Sequence, residues 1–265
     1  MSNSMADASI NHIQFENFVN EKKNVWSHEK LNKYCSKAEN CICYIDKKNS
    51  HGTGFFCKID LSDLNLKLKC LITNNHVLNK DYIEKENQIK LLIKNKSEEK
   101  IIKLKHKNRR KFFNAIIDYA CIELLEEDNI NDFFIVDQRI YDKNYRNEIF
   151  EKETIVISGF PGNSNLITDD GIIYSIDKEG EFIHTANTNP GSSGAPVILI
   201  SNIFLIGIHT GFCKIKKKNI GIFFKRIIDN IKNQFVQNIV QNQAIINHKI
   251  GYFCKLKNII IVFFF

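Results

Sequence analysis

Residues 188–197 read Thr-Asn-Pro-Gly-Ser-Ser-Gly-Ala-Pro-Val, and two of the three prolines of the chain lie in this stretch. Proline fixes the backbone angle φ, whereas glycine permits values that other residues avoid. Pro190 and Pro196 bracket the Gly-Ser-Ser-Gly tetrad at 191–194. The backbone of this loop is therefore tightly specified, which is a first indication of a functional site.

Three segments upstream of this loop place polar residues at the ends of apolar strands. Residues 51–57 (HGTGFFC) predict a glycine-flanked turn into a strand. Residues 71–78 (LITNNHVL) predict a strand that ends near His76, and residues 116–124 (IIDYACIEL) place Asp118 at the entry to an apolar strand. A histidine, a carboxylate and a serine are the groups from which an activated nucleophile is built.

The remaining sequence predicts a mostly β protein with helices towards its two ends. Of its 265 residues, 43% are hydrophobic and 25% are charged, which permits a buried core and excludes a wholly disordered or fibrous chain. From residue 41 to residue 224, short β-branched and aromatic runs alternate with polar turns, as in β-sandwiches and barrels. Apolar residues recur at helical spacing in residues 8–38 and after residue 224, which predicts helices there.

The four segments, in this order, resemble the trypsin-like (chymotrypsin-fold) serine peptidases. That family carries a G-[TS]-G-F strand, a T-x-x-H-V segment, a D-[YIL]-A-x-[IL]-x-L strand and a G-x-S-G-[GAS]-P loop, all of which occur here. The resemblance implies an all-β fold of two six-stranded antiparallel β-barrels, with an N-terminal helical extension and a C-terminal helix.

The resemblance also divides the chain into three parts. Residues 1–39 are expected to form the helical extension, and residues 40–230 the peptidase domain. Within that domain, the first barrel is expected at about 40–140 and the second at about 150–225. Residues 231–265 are expected to form a C-terminal helix and an apolar tail that ends in IIIVFFF.

The resemblance further implies a Ser-His-Asp triad that cleaves peptide bonds through an acyl-enzyme. His76 would take the proton of Ser193 and later give it to the leaving amine. Asp118, as a buried carboxylate, would fix the tautomer of that imidazole and stabilise its cation. The backbone N–H groups of Gly191 and Ser193 would form the oxyanion hole. Ser193 is preferred to Ser192 because the nucleophile of the family directly precedes the last glycine of the loop.

The strand after the loop predicts the specificity of cleavage. His209 lies in the pattern G-I-H-x-G, which looks like that of the glutamyl endopeptidases (V8-like) and, more distantly, of the viral 3C-type proteases. In both, this histidine contacts the P1 side chain together with a hydroxyl residue five positions before the nucleophile, here Thr188. The residues expected to bind substrate are Thr188, His209, Thr210 and Gly211.

At P1 the resemblance leaves Glu and Gln open. An imidazole and a hydroxyl can both donate to a carboxylate or to an amide oxygen. The net charge of +7 favours an anionic P1, and so do the lysines that follow the strand unless they form only a solvated hairpin. These lysines are Lys214, Lys216, Lys217 and Lys218. We therefore expect Glu, which should lose ground to Gln as pH rises past the ordinary imidazole pKa of ~6.5.

Several partners and settings are not expected. The eight cysteines occur without an apolar signal segment at the N-terminus, which predicts free thiols and an intracellular, cytoplasmic location. Cys41 and Cys43 lack the spacing of a zinc ribbon, and we expect neither a metal nor a cofactor. The apolar run at 259–265 is too short for a membrane span, which needs about 20 residues.

Two other functions stay open beside a peptidase that cleaves proteins or peptides. The N-terminal helix and the C-terminal tail lie outside the resemblance and would suit a protein partner, so that the chain would act mainly as a binding or scaffold module. A nucleic-acid binder is not expected, because the basic charge is modest and no aromatic-basic motif of an RNA module is present. Ser192 stands where secreted members carry an Asp that pairs with a freed amino terminus, so activation by that pairing is not expected.

Overall fold

The computed structural model describes residues 26–47, 50–142, 144–214 and 217–241. Within these residues the strands fall into two sheets, one of them a closed barrel. The mostly β fold predicted from the alternation of apolar runs and polar turns is therefore confirmed.

The first sheet contains eight strands and joins them in the order β5-β4-β1-β2-β3-β7-β6, with β8 parallel to β2. Strand β3 shows why one face lies on the core, because buried Leu66 and Leu68 alternate with exposed Lys67 and Lys69. The strands are β1 (Ile42–Lys47), β2 (Ser50–Leu61), β3 (Leu66–Thr73), β4 (Gln88–Ile93), β5 (Glu98–Lys103), β6 (Lys111–Asn114), β7 (Tyr119–Glu123) and β8 (Phe134–Ile135).

The second sheet is a closed barrel in the order β10-β11-β14-β13-β12-β9. Phe182 fills it and contacts the Phe223 ring at a centroid distance of 4.5 Å. Gly221 makes room for this ring, since a Cβ at that position would lie 2.4 Å from it. The strands are β9 (Thr154–Gly159), β10 (Ile167–Ile176), β11 (Glu181–His184), β12 (Pro196–Leu199), β13 (Leu205–Cys213) and β14 (Lys218–Phe223).

The chymotrypsin-like fold is confirmed, and the second barrel has its six predicted strands, but the first sheet differs from a six-stranded barrel. In the part of the chain that the structure describes, β5 and β6 each pair with one neighbour, so the ladder stays open. Four of the six residues of β5 are charged, which suits an edge strand in water. Strand β7 begins only at Tyr119 because Asn114 Oδ1 closes a turn by accepting from the N–H groups of Ile116 and Ile117, both at 2.9 Å.

Backbone hydrogen bonds connect segments of the first sheet with segments of the barrel. The N–H of Thr53 in β2 donates to the carbonyl of Ser193 at 3.0 Å. The N–H of Asp137 donates to the carbonyl of Leu205 in β13 at 2.9 Å. The loop before β12 is thus fixed against the first sheet as well as against its own barrel.

The predicted N-terminal helix is present where the structure describes it, as α1 (His28–Cys41). Ser27 caps it by accepting from Lys30 N at 3.2 Å. Tyr34, Ala38 and Cys41 form its buried stripe, at the spacing of one helix face. The part of the prediction that falls on residues 8–25 lies outside the described residues.

Further helices are α2 (Lys80–Lys85) and α3, which covers residues 224–241. The chain divides into two compact units between Ile227 and Ile228. The apolar run at 259–265 lies outside the described residues, and the domain boundaries predicted near 39 and 231 stay predictions. None of the helices in the described ranges combines the length and the apolar character that a membrane crossing requires.

Candidate active site

The loop of residues 188–197 depends on glycine at two positions. Gly191 and Gly194 have φ values of +102° and +88°, in the region that side chains disfavour. A Cβ on Gly191 would lie 2.5 Å from the carbonyl oxygen of Phe160, and one on Gly194 would lie 2.0 Å from that of Thr53. The loop therefore runs closely against two other backbone segments, as its proline and glycine content predicted.

His76 and Asp118 come together in two loops of the first sheet. The carboxylate accepts from the backbone N–H of His76 at 2.9 Å, and His76 Nδ1 lies 2.7 Å from Asp118 Oδ2. Asn74 supports this pair, because its Nδ2 donates to the Asp118 carbonyl at 2.9 Å. Asp118 has a φ of +57°, which aspartate tolerates better than most residues. One carboxylate thus binds both the backbone and the imidazole of His76.

The surroundings of this pair differ in one respect from the sequence expectation. The Asp118 side chain is 25% exposed rather than fully buried, and that of His76 is 51% exposed. The turn that leads to Asp118 lies at the surface, where Ile116 is 87% exposed. The side of the imidazole that points away from Asp118 is therefore accessible to another group.

Ser193 lies in the same loop as Ser192 but has different surroundings. Ser192 is buried and its N–H donates to the carbonyl of Asn189 at 3.0 Å. Ser193 is only partly buried, and its hydroxyl donates to the carbonyl of Thr210 at 3.3 Å. Among the described residues this hydroxyl makes no hydrogen bond to His76. The structure thus joins two of the three predicted triad side chains by hydrogen bonds and leaves the third on Thr210.

The backbone N–H groups of Gly191 and Ser193 point away from the carbonyls of the loop. The carbonyl of Pro190 accepts from Gly162 N at 2.7 Å, and that of Ser192 accepts from Ala195 N at 3.0 Å. In a trans peptide the N–H points opposite to the carbonyl, so the N–H groups of Gly191 and Ser193 point to the other side. Neither of these two groups has an acceptor among the described residues. They are therefore available to an oxyanion.

His209 lies on β13, next to the loop of residues 188–197. Its carbonyl accepts from Gly194 N at 3.0 Å, and its N–H donates to the carbonyl of Ala195 at 2.9 Å. Its ring is buried, and Nδ1 lies 3.1 Å from Nε2 of the buried His184. The other nitrogen of His184, Nδ1, is buried without a partner among the described residues.

The two imidazoles are neutral at neutral pH. Burial lowers the pKa of His209 to about 4; a hydrogen bond to the backbone of Ile220 opposes this, and the nearby His76 adds to it. Burial and the neighbouring His209 also hold the pKa of His184 well below its ordinary value. This pair therefore carries no cation at neutral pH.

Thr188 lies in a different environment from His209. It lines a cavity of about 220 Å³ together with Asn187, Ser192 and Asp169, and His209 is not part of that lining. That Thr188 and His209 both contact the P1 side chain stays a prediction. Among the described residues, no cluster of histidine, cysteine and carboxylate side chains could hold a metal ion.

The other two predicted substrate-binding residues follow His209 along β13. Thr210 holds Ser193 through its carbonyl, and its own hydroxyl donates to the carbonyl of Ile220 at 3.1 Å. Gly211 has a φ of +152° at a bulge of the strand. Phe212 is 59% exposed, so the strand reaches the surface close to Ser193.

Residues 52–208 match the sequence family described as the trypsin-like peptidase domain. The chain belongs to this family. The matched region is more than half of the chain and contains His76, Asp118 and Ser193. The protein is accordingly a serine endopeptidase, a hydrolase of peptide bonds. The match ends before His209, and the V8-like glutamyl specificity is not confirmed by it.

Solved structures of serine proteases share the fold of this chain. A serine endoprotease from Yersinia pestis is 15% identical over 80% of this chain and 67% of its own, with a TM-score of 0.57. The HtrA-type protease AlgW with tripeptide is 18% identical over 78% and 63%, with a TM-score of 0.55. The Rv3671c protease from M. tuberculosis in its active form is 14% identical over 77% and 85%, with a TM-score of 0.53. No curated protein matches the chain in sequence.

Sequence reasoning missed three residues that the structure places around the site. Thr53 binds the nucleophile loop, Asn74 binds Asp118, and His184 binds His209. A threonine between two glycines in residues 51–57 is a signal of close backbone approach, and it was available. His184 carried no such signal, because a strand histidine has many possible neighbours.

Proposed function

We propose that Ser193 is the nucleophile of this endopeptidase, that His76 is its base and that Asp118 orients this base. The observation that supports the proposal most is the double hydrogen bond from His76 to Asp118, at 2.9 and 2.7 Å, in a chain of the trypsin-like peptidase family. The partial exposure of Ser193, against the burial of Ser192, supports the choice between the two serines.

The hydroxyl of Ser193 must turn before it can react. Rotation about a Cα–Cβ bond moves a serine hydroxyl between staggered positions. Catalytic hydrogen bonds are often long in enzymes without substrate and tighten in the complex. The bond from Ser193 to the Thr210 carbonyl is long, at 3.3 Å. We infer that substrate binding moves this hydroxyl from Thr210 to His76.

The reaction then follows from the groups in place. Ser193 Oγ attacks the scissile carbonyl carbon while His76 Nε2 takes the hydroxyl proton, and the N–H groups of Gly191 and Ser193 bind the resulting oxyanion. The protonated imidazole is stabilised by Asp118 and gives its proton to the leaving amine, which leaves an acyl-enzyme. Water, deprotonated by His76, hydrolyses this ester and restores Ser193.

We further propose that P1 is Glu or Gln, and that Gln is the better of the two. Charge and the lysines near 214–218 favoured Glu, on the premise of an imidazole with an ordinary pKa. Burial lowers the pKa of His209 to about 4, so the ring is neutral above pH 5. A neutral donor suits an amide oxygen, whereas a carboxylate beside it would be buried without a cation. The expected decline of Glu against Gln with rising pH accordingly moves below pH 5.

The experiment that tests the proposed function is active-site labelling with a fluorophosphonate, which reacts with an activated serine. The full chain should be labelled, and Ser193→Ala should abolish labelling. The matched control is Ser192→Ala, which should keep labelling because Ser192 is buried and bound within the loop. Labelling that survives in Ser193→Ala, or disappears in Ser192→Ala alone, would refute the assignment.

Proteins or peptides are the substrates that this function implies, in an intracellular setting. The free thiols of Cys57 and Cys70, which face each other on β2 and β3, support that setting. Burial raises the pKa of both thiols, which makes them unreactive. The N-terminal helix stays a candidate segment for a protein partner.

A further inference from the structure

Thr53 is tied to the nucleophile loop although it belongs to the other sheet. It lies on β2 and is fully buried. Its N–H donates to the carbonyl of Ser193 at 3.0 Å, and its hydroxyl donates to the carbonyl of Gly191 at 2.8 Å. The same hydroxyl accepts from Phe160 N at 3.0 Å, and its carbonyl accepts from Thr73 Oγ1 at 2.7 Å. All the polar groups of this one residue are engaged.

Thr53 binds the carbonyls of the same two residues whose N–H groups would face the oxyanion. Gly191 and Ser193 each contribute an N–H to the proposed oxyanion hole and a carbonyl to Thr53. A hydrogen bond that holds the carbonyl of a residue restrains the ψ angle of that residue. This ψ angle determines how the N–H of the residue is oriented relative to its carbonyl. Thr53 therefore holds the loop at two points from the side opposite the reacting atoms.

The hydroxyl matters most at Gly191. A glycine at a φ of +102° has no side chain to restrain it, so the peptide that follows can rotate at little cost. Two hydrogen bonds oppose this rotation in the described structure: Thr53 Oγ1 donates to the carbonyl of Gly191 at 2.8 Å, and Ser192 N donates to the carbonyl of Asn189 at 3.0 Å. Ser193 is held by its neighbours in addition, since Gly194 N donates to the carbonyl of His209 at 3.0 Å.

We propose that Thr53 is a positioning residue of the oxyanion hole: its hydroxyl holds the carbonyl of Gly191 so that the N–H of Gly191 stays directed at the oxyanion. The inference rests on the proposed function of Ser193. It predicts that the hydroxyl of Thr53 contributes to the chemical step and not to the binding of substrate.

The test compares kcat and KM of the full chain and its variants on one peptide substrate. Thr53→Val keeps the shape of the side chain and removes the hydroxyl, and it should lower kcat about 10- to 100-fold with KM nearly unchanged. Thr53→Ser keeps the hydroxyl and should restore most of kcat. Binding of a peptide aldehyde, whose adduct places an oxyanion in the hole, should weaken in Thr53→Val by a similar factor.

The control is Thr185→Val, which also removes a threonine hydroxyl that accepts from a backbone N–H, that of Ile172 at 2.9 Å, and which should leave kcat unchanged. If Thr53→Val does not fold, Thr53→Ala and Thr53→Ser form the matched pair, since they differ by one oxygen. Equal kcat in the members of either pair, or a loss confined to KM, would overturn the role of Thr53. Activity that persists in Ser193→Ala would instead overturn the proposed function, so the two failures are distinguishable.

Discussion

The two sheets prepare their parts of the site to different degrees. The first sheet presents His76 already bound to Asp118 by two hydrogen bonds of 2.9 and 2.7 Å. The barrel presents Ser193 with its hydroxyl on a neighbouring carbonyl at 3.3 Å and without a bond to His76 in the described residues. The backbone of the nucleophile loop is nevertheless fixed, by Gly191, Gly194 and the contacts to Thr53.

The difference between the two sheets separates the groups that are held in place from the hydroxyl that can still turn. On the proposed assignment, the groups that must not move are the imidazole of His76 and the N–H groups of Gly191 and Ser193, and hydrogen bonds hold both before substrate arrives. The group that must react keeps one rotatable bond. On the proposed assignment, the loop backbone and His76 are held in the free protein, and the hydroxyl of Ser193 still has to turn towards His76.

The largest expected effect comes from substitution of His76 in the first sheet and of Ser193 in the barrel. Ser193→Ala and His76→Ala should each lower kcat about 10⁴-fold or more, and the double variant should be little worse, because the groups act as a unit. Steady-state kinetics on a peptide substrate measures this. Additive losses in the double variant would contradict the assignment.

Asp118→Asn tests the pair of the first sheet more narrowly, because it replaces one carboxylate oxygen by an amide nitrogen. Asparagine tolerates the positive φ at this position, so the backbone should persist. The amide presents either a donor or a single acceptor, which disturbs the tautomer of His76, and kcat should fall about 10⁴-fold. A crystal structure of this variant with the imidazole in place, together with near-normal kcat, would refute the orienting role of Asp118.

A smaller effect is expected on the barrel side, in the choice of P1. His209→Ala should lower kcat/KM about 100-fold for a peptide with Gln at P1, because the amide loses its donor in a buried place. A peptide library with the wild-type protein should prefer Gln, then Glu, over Lys, Arg, Phe and Leu. A basic or aromatic P1 would show that His209 faces away from the substrate.

The smallest effect concerns stability and the buried histidine pair. The folded pKa of His209 lies below that of the unfolded chain, so the unfolded state binds more protons as pH falls from ~6.5 towards 4. The free energy of unfolding should therefore decrease over this range, by on the order of 3 kcal/mol. The contribution of the neutral His209 to stability is fully present above pH ~6.5 and is lost as the pH falls towards 4.

Urea titrations at several pH values measure this decrease. His209→Gln should lessen this decrease and leave the part that the buried His184 contributes. An unaltered slope in His209→Gln would mean that the imidazole is not held neutral by burial.

The strands and the loop of residues 188–197 were predictable from the sequence because they depend on local patterns, whereas the grouping of His76 with Asp118 came only from the resemblance to a family. Alternating apolar runs specify strands, and the glycines and prolines of 188–197 specify a loop. The open first sheet was not predictable in this way, since the turn at Asn114 depends on one side-chain hydrogen bond. The protonation of His209 was not predictable either, because it follows from burial and from His184, a neighbour that only the folded chain supplies.

The most direct test of the central claim is to trap the acyl-enzyme and locate the acyl group. The full chain is mixed with the p-nitrophenyl ester of an N-blocked glutamine, quenched with acid within the burst, and analysed by intact mass and peptide mapping. One acyl group on Ser193, absent from Ser193→Ala and strongly reduced in His76→Ala, is the predicted result. An acyl group on Ser192 or on a cysteine, or an equal yield in His76→Ala, would contradict it.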